Sequence, residues 1–77
     1  MVRFPKESPL PVQELRRLIT DHGFSIANMS YRLSGEGKYL EYRMVIRTHE
    51  VDNQRRLSET LAGLEKVVGF QIAPTGD

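Results

Sequence analysis

The chain predicts an α+β fold: two helices packed on one face of an antiparallel sheet, in the order βαββαβ. Three observations carry that prediction. Apolar residues recur at helical spacing in two stretches, at 12, 15, 18 and 19 and again at 57, 61 and 64. Two runs, 24 to 34 and 39 to 48, alternate with a period of two, and Glu36-Gly37 between them suits a tight turn. With 77 residues the chain is one domain of the small class that buries only about 60% of its unfolded surface.

Val2-Arg3-Phe4 alternates apolar and polar before Pro5, as the end of a short strand would. Residues 5 to 11 hold three prolines and read as a stiff loop, with Ser8 as helix cap and Pro9 at the first helical position. The first helix is expected over 9–22. Gly23 follows it, where the chain must leave the helix with positive φ.

In the hairpin, a two-residue turn at Glu36-Gly37 sets Leu33 opposite Leu40, Tyr31 opposite Tyr42, Met29 opposite Met44 and Ala27 opposite Ile46, all facing the helices. The same register sets Arg32 against Glu41 on the outer face, an attractive pair. Phe24 and Ile26 have the other parity, so either a bulge near Ala27-Asn28 or a two-sided apolar start is expected. A second helix follows over 53–65, capped by Asp52 or Asn53 and containing Gly63. Residues 67 to 73 form the last strand, with Val68, Phe70 and Ile72 on one face. This order is the ferredoxin-like plan, in which the first strand lies mid-sheet between the third and fourth.

Composition narrows the function classes. A formal charge of +1 gives no electrostatic footprint for nucleic acid, and the lack of Cys removes thiolate catalysis, disulfides and thiolate metal sites. No apolar run reaches the roughly 20 residues of a membrane span. No nucleophile–base pair or spaced carboxylate pair can be argued, so the chain reads as non-enzymatic and without a cofactor. Ser34-Gly35-Glu36-Gly37-Lys38 joins antiparallel strands and is a hairpin turn, not a phosphate loop. His49, Glu50 and Asp52 are the weak candidates for a divalent metal, but acids there are expected to serve the following helix, and no metal site is expected. His22 is expected to meet the negative end of the first helix. Tyr31 and Tyr42 fall on the helix side and Tyr39 on the outer side, which argues against base stacking. The outer face carries Arg32, Glu41, Arg43 and Arg47, a candidate interaction face.

With these residues in view, Glu-Tyr-Arg-Met-Val-Ile-Arg-Thr (41 to 48), Phe-Gln-Ile-Ala-Pro-Thr-Gly-Asp (70 to 77) and Asp-His-Gly-Phe-Ser-Ile (21 to 26) resemble the C-terminal domain of the MgtC/SapB family, bacterial inner-membrane proteins linked to magnesium starvation. The resemblance implies an ACT-like fold and a chain cut from a longer protein near its first strand. It implies a place at the cytoplasmic face of the bacterial inner membrane, reached only through an absent N-terminal transmembrane region. The implied function is a regulatory or interaction domain tied to magnesium homeostasis, acting through a protein partner or weak self-association across a strand edge. The alternative is an ACT-type sensor of a small ligand or divalent cation. The first loop lacks the glycine that amino-acid-binding ACT domains use there, which weighs against amino-acid sensing.

Overall fold

A computed structural model describes residues 1–72. The elements run β1 (Val2–Pro5), α1 (Val12–Asp21), β2 (Ser25–Ser34), β3 (Tyr39–Arg47), α2 (Asp52–Ala62) and β4 (Gly69–Phe70). The sheet is antiparallel with strand order β2-β3-β1-β4, so the chain has the ferredoxin-like arrangement and the short first strand is central. Four residues suffice to bridge the sheet. Val2 through Pro5 pair with Tyr42 through Tyr39, and on the other side Val2 and Arg3 pair with Phe70 and Gly69. Bonds from Gln71 N to the Met1 carbonyl and from Val68 N to the Arg3 carbonyl extend that second seam.

Both helices cover the face of the sheet that presents Val2, Phe4 and Tyr42. Leu15 and Ile19 from α1 and Leu57 and Leu61 from α2 close the core against them, with Phe24 at its edge. Phe4 lies at the centre, fully buried, its ring edge-on to Tyr42 at 5.8 Å between centroids.

Helix α1 starts later than 9, and Ser8 does not cap it. Leu10 precedes Pro11, and the proline ring drives the residue before it out of helical geometry. Pro11 is therefore the N-cap, with no side-chain cap, and the first helical bond runs from Leu15 N to the Pro11 carbonyl. At the other end Gly23 takes φ 88°. Gly23 N donates to the Thr20 carbonyl and Phe24 N to the Ile19 carbonyl, the two bonds of a Schellman motif. The accompanying apolar contact follows, since Ile19 and Phe24 share the core.

Helix α2 begins at Asp52 with Val51 as N-cap, so Asp52 and Asn53 lie inside its first turn and neither caps it. Asn53 instead donates from Nδ2 to the Thr48 hydroxyl at 2.8 Å. Gly63 is the C-cap at the helix end, not an interior residue. The last strand is shorter than 67–73: only Gly69 and Phe70 pair as β4, Val68 is half-exposed while Val67 packs on the core, and residue 73 lies outside the described residues.

The hairpin keeps the expected register near its turn. Leu33 pairs with Leu40, Arg32 with Glu41 and Tyr31 with Tyr42. The strands pair as far as Ser34 and Tyr39, and the four residues 35–38 join them instead of two: Gly35, Glu36 and Gly37 all take positive φ, Gly37 N donates to the Ser34 carbonyl at 3.1 Å and Lys38 N to the Gly35 carbonyl at 3.2 Å. Between Ala27 and Ser30 the register shifts through a bulge with Asn28 at φ 54°. The shift changes the partners of the first half: Ile26 pairs with Ile46, and Ala27 with Val45. Ile26 thereby packs on the core, and Ala27 turns to the outer, exposed side instead of facing Ile46.

Candidate functional site: an arginine-bearing sheet face

The alternation that sends Val2, Phe4 and Tyr42 toward the helices sends Arg3, Glu41 and Arg43 to the opposite face. There the central strands bring three guanidiniums onto one carboxylate. Arg3 Nη2 donates to Glu41 Oε1 at 2.9 Å, Arg43 Nε to Oε2 at 2.6 Å and Arg32 Nε to Oε2 at 3.3 Å. Arg3 and Arg32 reach it from the neighbouring strands, each standing directly opposite Glu41 in its ladder, and Arg43 from two residues along β3. The Glu41 side chain is wholly screened from solvent although it sits on the open face, because the arginine side chains themselves cover it.

The electrostatics follow from that geometry. The hydrogen bond from Arg43 holds the Glu41 carboxyl down to a pKa of about 2, with the Arg3 hydrogen bond next and the charges of Arg43 and Arg32 adding, against a smaller desolvation effect in the other direction. Glu41 is thus a fixed anion that holds three cations in position. The three arginines keep 37%, 60% and 55% of their side-chain surface exposed, although Arg3 Nε is buried without a partner among the described residues. Arg3 also lies over the Tyr39 ring at 5.8 Å, which stiffens its pose. Arg47 shares this face farther along β3, exposed and outside the Glu41 cluster. Chemically the surface is a preset array of donors for carboxylates or phosphates.

The other sequence candidates lie elsewhere. His49 and Glu50 are exposed in the turn before α2, and Asp52 faces Arg55 at 3.5 Å. Among the described residues no three His, Asp or Glu side chains converge in a way that could hold a metal. His22 does cap α1: its Nδ1 donates to the Leu18 carbonyl at 2.7 Å, while Nε2 meets the Thr60 hydroxyl at 2.8 Å and ties the two helices together. Tyr42 is buried as expected, but Tyr31 and Leu33 are 69% and 53% exposed, since the helices do not reach that end of the hairpin.

Two features were not singled out from sequence. Arg3 belongs to the Glu41 cluster, and the alternation in Val2-Arg3-Phe4, with the first strand beside the third, already places it there. The second is a half-open, mostly apolar pocket of about 300 Å³ lined by Val2, Ile19, Met44, Ile46, Leu57 and Leu61, with Met1 and Gln71 on its more polar side. Among the described residues no helix is long and apolar enough to cross a membrane. Comparison with protein-family models, curated proteins and solved structures finds no match.

Proposed function

We propose that this chain is a non-enzymatic regulatory or interaction domain that receives an acidic segment of a partner protein on its outer sheet face. The observation that carries the reading is Glu41 held by Arg3, Arg32 and Arg43: one anion arranges three cations and leaves the face with a surplus of positive charge. An open sheet face of fixed guanidiniums suits a ligand that brings several carboxylates at strand spacing. The resemblance to the MgtC/SapB tail supplies the setting of this proposal, the cytoplasmic face of a bacterial inner membrane in a protein linked to magnesium homeostasis. The ferredoxin-like fold is compatible with that setting and does not by itself select it.

Titrating an acidic peptide of alternating Glu and Ser tests the reading. Saturable binding should weaken steeply with salt and fall about tenfold or more when Arg32 and Arg43 are both changed to Ser. Binding that is indifferent to those substitutions would remove the face from the account.

The mostly apolar pocket favours a second reading, a sensor of a small apolar ligand, because its size falls at the lower end of ligand pockets. A sensor gains thermal stability from its ligand by mass action, and an interaction face for peptides does not respond to small apolar molecules. A melting screen against small apolar compounds, free amino acids and magnesium therefore separates the two.

A further inference from the structure

Strand β2 forms one edge of the sheet, and its ten residues contrast with the two of β4 at the other edge. Natural edge strands are usually blunted by prolines, inward charges or bulges, since their free N–H and C=O groups template pairing with another chain. Here β2 contains no proline, and the bulge protects only its first half, between Ala27 and Ser30. The single charged residue of the strand, Arg32, is drawn onto Glu41 of its own sheet at 3.3 Å. From Ser30 to Ser34 the strand is regular and unguarded. On its helix side the same segment exposes Tyr31 and Leu33, with the Tyr31 ring already seated edge-on to Tyr42 at 6.0 Å between centroids.

We propose that two copies of this chain associate through β2, their edge strands antiparallel about a two-fold axis at Tyr31. The contact shares Arg32 with the peptide-binding face but rests on the strand edge and on Tyr31 and Leu33, which that face does not use, so the two are tested separately. Directly opposed residues of antiparallel strands share a face, so this axis sets Tyr31 against Tyr31 of the second copy and Leu33 against its Met29, an apolar row on the helix side. On the outer side Ser30 meets Arg32 of the second copy, and no like charges oppose each other. Shifting the axis to Arg32 would oppose two guanidiniums. An axis at Ser30 would bring Asn28, the positive-φ residue of the bulge, within two residues of the axis, and one at Leu33 would run the pairing into the turn at Gly35. An isologous contact of this kind closes on itself and leaves no further β2 edge open. It also keeps the arginine faces side by side, where face-to-face stacking would press them together.

Sedimentation between about 10 μM and 1 mM reads the association, in the range expected of a small edge contact. The expected result is a monomer–dimer equilibrium. Leu33→Lys, which puts a charge into the apolar row twice per dimer, should weaken it about tenfold or more. That substitution should leave the melting temperature of dilute monomer unchanged, since Leu33 is already 53% exposed. The chain has no cysteine, so register is read by oxidation: Tyr31→Cys should cross-link two copies efficiently, and Leu33→Cys, which would face Met29, should not. Efficient cross-linking through Leu33→Cys, or dimerisation unaffected by Leu33→Lys, overturns the proposal. So does a chain that stays monomeric throughout, in which case the edge would be left to an extended segment of a different protein.

Discussion

Removing the Phe4 ring should cost this domain a large part of its stability, because the side chain is where the short central strand is anchored. Phe4 is fully buried and its ring packs edge-on against Tyr42, which lies on the neighbouring strand two residues along from its own partner Leu40. Truncation of such a residue to Ala costs about 3–5 kcal/mol in lost transfer energy and unfilled cavity. A chain of 77 residues has a total stability of about 4–12 kcal/mol at the usual value per residue. Phe4→Ala therefore removes about a quarter of the margin at least, and all of it at the low end. In urea, with a slope near 1 kcal/mol/M for so small a domain, the midpoint should fall by about 3 M or the protein should be unfolded in buffer. Phe4→Leu, which keeps much of the volume, should lose about 1–2 kcal/mol and stay folded. Circular dichroism through the urea transition measures both, and an unchanged slope shows that the same surface is being exposed. If Phe4→Ala lost less than about 1 kcal/mol, β1 could not be the strand that joins β3 to β4. The outer-face cluster would then lose its Arg3 as well, since that side chain leaves the same four residues in the opposite direction.

The Glu41 carboxyl makes the fold acid-sensitive in a defined window: its folded pKa of about 2 lies below its ordinary value of 4.5, so its contribution is complete above pH 4.5 and is lost as pH falls toward 2. Melting temperatures followed from pH 6 to about pH 2 should fall more steeply for the native chain than for Glu41→Gln, and parallel curves would contradict the ion cluster. Gly23→Ala should destabilise by more than about 1 kcal/mol, because φ is 88° there and a Cβ would collide with the Asn53 side chain. Loss of less than a few tenths in urea denaturation would place the α1 terminus differently.

Much of the fold was legible because several local signals agreed. The turn at Glu36-Gly37 and the opposite charges of Arg32 and Glu41 required one register, and the strand order of the ferredoxin-like plan followed from the sequence of elements. The bulge was readable from the parity of Phe24 and Ile26, but not the partners that it reassigns. Ala27 looked like a core residue until one extra residue in β2 turned it outward. The start of α1 was misplaced because two prolines compete for the first turn, and the restriction that Pro11 places on Leu10 outweighs the capping geometry of Ser8. The exposure of Tyr31 and Leu33 was hidden for a different reason: alternation tells which face a side chain takes, not how far the helices extend over it. The arginine face was visible as a list of charges on β2 and β3. What the sequence pattern did not convey was that Glu41 would be enclosed by those charges, with Arg3 completing the set across the sheet.

Mapping an acidic peptide onto the domain by backbone amide and arginine side-chain resonances tests the central claim most directly. The account predicts saturable shifts that cluster on Arg3, Arg32, Arg43 and the adjoining amides of β1 and β3, with α1 and α2 silent and the whole effect removed by high salt. Shifts that cluster instead around the pocket lined by Ile19, Met44 and Leu57, or no saturable shifts on the sheet at all, would contradict it.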